Sequence, residues 1–184
     1  MSFLSGKCLI ATPNIADERF EHAVIFICAH TKEGAMGLTL NRPIRELSFP
    51  DLLHQLKISP SVALDYPPVL AGGPLDIVRG FVLHSIEYGK DATLPVSPFS
   101  ALTVTTEVIK DIALGKGPSQ YLVALGYAGW GAGQLDEEIK QNSWLTLDAD
   151  ADFLFNVTPA NKWKNSLLRL GIKDANLSPF SGRA

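Results

Sequence analysis

His22, His30, His54 and His84 are the four histidines of the chain, and a shared metal ion is the first chemistry their type suggests. No two stand at H-x-H or i, i+4 spacing, so no local segment offers a ligand pair. His30 and His84 each close an apolar run, which places them at strand ends, where α/β proteins often build sites. The competing reading for both is a histidine hydrogen-bonded at the edge of the core, and His54 reads as surface. Nucleophilic catalysis finds no frame either: Gly-x-Ser-x-Gly is absent, and Ser85 after His84 has no flanking glycines. Cys28 and His30 share one strand face, but apolar surroundings hold that thiol protonated. Cys8 and Cys28 form no CxxC pair and read as buried reduced thiols, with a redox-responsive pair as the alternative. The acidic run DADAD, residues 148–152, lacks the glycine and closing glutamate of a calcium loop and reads as a solvated turn. These patterns imply no metal and no cofactor.

The stretch LGYAGWGAGQLDEEIKQNSW, residues 125–144, poses a sharper question: do its glycines cradle a phosphate, or do they let two backbones approach? A dinucleotide fingerprint built on Gly129 and Gly131 needs a third glycine where Gln134 stands, and no Gly-Lys-Ser/Thr ending follows. A phosphate binds a helix N-terminus through unpaired N–H groups and the positive dipole end. Here Asp136, Glu137 and Glu138 fall at the start of the predicted helix and meet that dipole themselves. The glycines, Gly129 and Gly131 in particular, are therefore expected to serve positive φ angles and close backbone contact, with Tyr127 and Trp130 packing across neighbouring strands. A binding corner at residues 126–133 is the alternative.

One basic stretch stands out, NKWKNSLLRLGIK, in which Lys162, Lys164, Arg169 and Lys173 have no acid among them. Trp163, Leu167 and Leu170 share a face at helical spacing, so a core-facing amphipathic helix with a solvated basic side accounts for the pattern. Contact with nucleic acid or an acidic partner is the alternative. The formal net charge of −3 gives no long-range attraction to DNA, and no helix-turn-helix pair is recognisable. Direct DNA binding is disfavoured.

These residues need a scaffold, and the periodicity supplies one. Residues 7–11, 23–30, 36–41, 69–71, 80–84, 121–125, 144–147 and 153–156 read as strands, with tight turns at 31–34 and 72–74. Residues 88–100 read as a loop or strand edge. Helices are expected from Ser48 (N-cap, with Pro50 in the first turn), from Thr106 to 113 with Gly115 at C′, over 134–142, and from Thr158-Pro159 to before Gly171. A tail with no assigned element follows Ile172. Strands joined too briefly for parallel crossovers predict a mixed sheet flanked by helices in one α/β domain. At 184 residues, 46% hydrophobic and 19% charged, the chain suits one well-buried core. No apolar run approaches the roughly 18 residues of a membrane span, and MSFLSGKCLIATP lacks the form of a signal peptide. The expected address is the cytoplasm, with no membrane partner.

Four stretches in this order, TPNIADERFEHAVIFICAH, EGAMGLTLNRP, GGPLDIVRGFVLH and LGYAGWGAGQLDEEIKQNSWL, resemble the AlgH/YqgE-like family of small bacterial proteins. The resemblance runs from Cys8 nearly to the C-terminus. It implies a single α/β (α+β) domain with a mixed, partly barrel-like sheet surrounded by helices, in a bacterial cytosolic protein. The family carries the label of a transcriptional regulator, and its pattern commonly closes with Gly-His-Ala where this chain has Gly182-Arg183-Ala184. Polar positions of the family pattern that packing explains poorly fall here on Asp17, His30, Asn41, Arg42, Arg79, His84, Gln134 and Asn142. With Tyr127 and Trp130 they make up the candidate binding surface. The expected function is a non-enzymatic binding or regulatory module acting through a protein or small-molecule partner. The alternative is an enzyme or small-ligand sensor with a pocket near the 126–133 corner. A deep pocket there holding two or more of the named polar groups would favour the alternative, and a flat or apolar patch a protein partner.

Overall fold

Alternating side chains on the first two strands point to two different cores, which is why their sequences read as unbroken apolar runs. Cys8 and Ile10 of β1 (Lys7–Ala11), with Val24 and Phe26 of β2 (Val24–Thr31), face one core. Leu9 and Ala11, with Ile25 and Ile27, face the other. The computed structural model describes residues 3–173. It adds β3 (Gly34–Thr39), β4 (Val69–Ala71), β5 (Leu75–Ser85), β6 (Thr93–Ser97), β7 (Ser100–Thr103), β8 (Tyr121–Gly131) and β9 (Trp144–Asp148). The strands form one sheet in the order β6-β7-β5-β8-β3-β2-β1-β9, with β4 alongside β8. Among the described residues, only the β4–β8 ladder is parallel. The result is an α/β domain whose mixed sheet curls into a half-barrel surrounded by helices, as the family resemblance implies.

Helices α4 (Ala151–Phe155) and α5 (Pro159–Arg169) cover the Cys8–Phe26 face through Phe153, Leu154 and Leu167. Leu135 of α3 (Gln134–Lys140) seals the opposite face with Trp130 and Trp144. A third cluster joins α1 (Phe49–Gln55) and α2 (Thr106–Ala113) to β4, β5 and β8. Ser48 caps α1 in a reciprocal capping box with Asp51, and Gly115 follows α2 at φ +71°. Both features agree with the expectation. Thr105 rather than Thr106 occupies the N-cap of α2, and its side chain makes no capping bond.

Three sequence expectations need correction. Residues 153–156 are not a strand: Asp150 accepts from the Phe153 N–H at 2.7 Å and starts α4, so the acidic run is a helix cap as well as a solvated turn. Residues 88–100 are not a loop throughout, because Thr93–Ser97 pairs with Ser100–Thr103 in a hairpin at the sheet edge. The strand expected at residues 121–125 does not stop there but runs on through the glycine stretch. That stretch is the second half of β8, which pairs with β5 up to Tyr127 and with β3 from Ala128 to Gly131.

Gly126 explains that hand-over. Before it, Leu122 and Ala124 face the Cys8–Phe26 core; after it, Tyr127 packs against that core while Ala128 and Trp130 face the other. The alternation has slipped by one residue at a glycine with φ +75°, the behaviour of a β-bulge. Any Cβ at Gly126 would lie 2.5 Å from the Gly73 carbonyl oxygen, and one at Gly73 would lie 2.1 Å from the Tyr127 carbonyl carbon. The glycines therefore serve close backbone approach, but not at the positions singled out. A Cβ at Gly131 would meet only the Gln134 side-chain oxygen, at 3.9 Å, and one at Gly129 would meet side chains rather than backbone, the Leu75 end at 2.8 Å and the Tyr127 ring at 3.4 Å.

Candidate functional site

The β8–α3 corner also shapes a cleft of about 320 Å³. Gly129 and Trp130 line it from β8, Gln134, Glu138 and Gln141 from α3 and its end, and Pro74 and Leu75 from the start of β5. Opposite stand Asp17, Arg19 and Phe20, held in a single 3₁₀ turn (Glu18–Phe20) that Asp17 caps through the Arg19 N–H. Thus Asp17, Trp130 and Gln134 of the predicted set converge.

Glu138 organises the α3 wall. One carboxylate oxygen accepts from the Trp130 and Trp144 indole N–H groups, at 3.0 and 2.7 Å. The other accepts from the Gln134 amide at 2.9 Å, whose own oxygen accepts from the Gly131 N–H at 3.0 Å. Across the cleft Arg19 grips Asp17 through Nε and Nη2 and holds its carboxyl below the usual carboxylate range. No histidine or cysteine lines the cleft. Both of its carboxylates accept hydrogen bonds from neighbouring side chains. Among the described residues, no group of three or more His, Cys, Asp and Glu side chains could hold a metal ion.

Seven other predicted residues lie elsewhere. His84 is fully buried, with Nδ1 2.9 Å from the Ser85 carbonyl and Nε2 2.8 Å from Thr103 Oγ1. Burial lowers its pKa below the ordinary histidine value. His30 is buried as well; its Nδ1 accepts from the Leu4 N–H at 3.2 Å and its ring meets Phe3 edge-on. Asn41 accepts from Val24 N–H and donates to the His22 carbonyl, and Arg42 donates to the Glu21 carbonyl. These two therefore clamp the entry to β2 and do not meet His84 at one open edge. Tyr127 packs edge-on against Phe81, and Asn142 turns the chain at φ +57°, its carbonyl accepting from Thr12 Oγ1. Arg79 is exposed on a projection of β5. Gly182-Arg183-Ala184 and the tail from residue 174 lie outside the described residues.

Sequence reasoning missed Arg19, Phe20, Glu138 and Gln141 of the cleft, and Lys162 away from it. Glu138 was assigned to the helix dipole; two tryptophans within reach on either side, Trp130 and Trp144, were the available signal. Lys162 was placed on a solvated basic face, yet it is 1% exposed. Its ammonium donates to the carbonyls of Phe153, Leu154 and Val157 at 2.7, 3.0 and 2.8 Å, closing the C-terminal end of α4. Burial pushes its pKa down to about 8. Arg169 is also engaged, with Asp150 and Asp152 at 2.9 and 3.4 Å.

A half-barrel α/β domain with a polar, aromatic-floored cleft at its bulged central strand defines the class of protein. The chain belongs to the AlgH-like family: the family model, DUF179, matches residues 8–175. It is 48% identical to a UPF0301 protein of Rhodospirillum rubrum, over 99% of this chain and 95% of that one. It is 44% identical to one of Yersinia enterocolitica, over 98% and 99%. The solution structure of the AlgH protein from Pseudomonas aeruginosa superposes with a TM-score of 0.79 at 37% identity, covering 100% of this chain and 97% of that one. A crystal structure of a Corynebacterium diphtheriae protein shares the fold, with a TM-score of 0.73 at 19% identity over 92% and 88%. No described helix is long and apolar enough to cross a membrane.

Proposed function

We propose that this protein is a non-enzymatic binding module whose cleft between the 3₁₀ turn and α3 takes a small polar ligand with a flat apolar portion. The observation that carries the reading is the convergence of Asp17, Trp130 and Gln134 with Arg19 and Glu138 in one cleft, where Arg19 pairs with Asp17 and neutral donors hold Glu138. Its volume of about 320 Å³ sits at the small end of ligand pockets. Phe20 and Trp130 offer apolar surface, while Arg19, Gln134 and Gln141 offer donors at the rim. Regulation by direct DNA contact is not part of the proposal. With Lys162 turned inward and Arg169 ion-paired, the basic stretch presents Lys164 and Lys173 as its remaining cations.

Thermal melts of the protein against a metabolite panel test the idea, with hits repeated on Arg19→Ala and Gln141→Ala. A ligand that raises the melting temperature of the parent and loses that effect in both variants supports the cleft. A hit that both variants retain, or a panel with no hit, counts against it.

A further inference from the structure

The first half of β5 departs from its neighbours. Leu75 pairs with Tyr127 and Gly80 with Leu125, so only Gly126 of β8 stands opposite the four residues 76–79. Among the described residues those four have no ladder partner, and Asp76 turns the chain at φ +49°. At the apex of this projection stand Ile77 and Val78, 65% and 85% exposed. Turn tips ordinarily carry polar residues, and two β-branched apolar side chains there call for a cover. The apolar surface continues from Val78 into a recess of about 140 Å³ beside Leu56, Ile109 and Leu125.

The order of the four residues points to what covers them. An acid, two apolar residues and a base follow one another: Asp76, Ile77, Val78, Arg79. Within the chain the two charges are 3.9 Å apart and half-exposed, a long and weak pair. We propose that this projection is an isologous interface with a second copy of the chain. About a two-fold axis between residues 77 and 78, antiparallel arms place Asp76 against Arg79 of the second copy, twice, and Ile77 against its Val78. The sequence is self-complementary in charge and in apolar contact under that one operation.

Sedimentation velocity over a concentration series tests the proposal, with folding of each variant checked by its melt. The parent is expected to show a monomer–dimer equilibrium, and Val78→Ser to be monomeric with the melting temperature that the parent has at dilutions where it is monomeric. Asp76→Arg and Arg79→Asp should each weaken dimerisation about tenfold or more, since each faces like charges across the axis twice. Mixed in equal amounts, these two variants should form a heterodimer close to the parent in affinity, a rescue that intrachain pairing cannot produce. A parent that stays monomeric overturns the proposal. So does a dimer that Val78→Ser leaves intact, or a mixture no tighter than either variant alone. Hydrogen-exchange protection of residues 76–79 in a concentration-independent monomer would assign the cover to another part of the chain and overturn it equally.

Discussion

Replacing Lys162 with methionine should destabilise the protein by about 3 kcal/mol, and the structure shows why the figure is neither near zero nor far larger. Three donors of one ammonium meet three carbonyls at 2.7, 3.0 and 2.8 Å. Hydrogen bonds to a charged group contribute about 1.5–3 kcal/mol each, so the gross loss is several kcal/mol. Methionine, in turn, is spared the several kcal/mol needed to desolvate an ammonium, which offsets part of that loss. Its volume is close to that of the lysine stem, so no sizeable cavity opens. What remains is a set of carbonyls at the end of the five-residue α4 that water reaches poorly. For a chain of this size about 3 kcal/mol corresponds to a fall in melting temperature of roughly 6–12 °C. Calorimetry on Lys162→Met and on the exposed control Lys164→Met checks it, the control staying within about 0.5 kcal/mol of the parent. Equal melting of Lys162→Met and the parent would refute the claim that this lysine holds α4 in place.

Gly126→Ala should cost about 2 kcal/mol or more, combining a positive φ with a 2.5 Å approach to the Gly73 carbonyl, while Gly131→Ala should fall within about 0.5 kcal/mol of the parent. Denaturant titrations of the two variants check that contrast, and equal effects would remove the bulge argument. His84 has a folded-state pKa below its unfolded value near 6.5, so the unfolded chain takes up the proton first. Its contribution is fully present above about pH 6.5 and is lost as the pH falls through the folded pKa. His84→Gln should therefore show a flatter loss of stability between pH 7 and pH 5 than the parent. Burial raises the pKa of both thiols, that of Cys28 to about 12. Both cysteines should label slowly in the native protein and quickly after denaturation, and fast native labelling of either would revive a redox role.

The elements were legible wherever local chemistry alone decides them. Ser48 with Pro50, Gly115, and the Thr158-Pro159 start of α5 are such places, and so are the apolar runs of β1 and β2. What escaped depends on distant partners. The one-residue slip at Gly126 goes with the close approach of Gly73 from the β4–β5 connection, and Lys162 is buried because α4 ends beside α5. Neither fact leaves a trace in periodicity, since a bulge glycine resembles a loop glycine and a lysine resembles a solvated one.

The candidate site divides along the same line. A polar residue that packing explains poorly needs a partner, but its type does not say whether the partner is backbone or ligand. Asn41 takes a backbone donor with one end of its amide and supplies a backbone acceptor with the other, the two bonds a ladder residue would make. His84 satisfies both ring nitrogens inside the sheet. For these two the need is met within the fold, and truncating them should register in stability. Gln134 and Glu138 differ: apart from the Gly131 N–H that Gln134 accepts, their bonds join one another and the indoles at the rim of a cleft, leaving further hydrogen-bonding capacity toward the open side. The convergence of Asp17, Trp130 and Gln134 therefore carries more functional weight than their separate appearance in the sequence. A side chain that the backbone already satisfies has little left to offer a ligand; one held in place by its neighbours at an open cleft does.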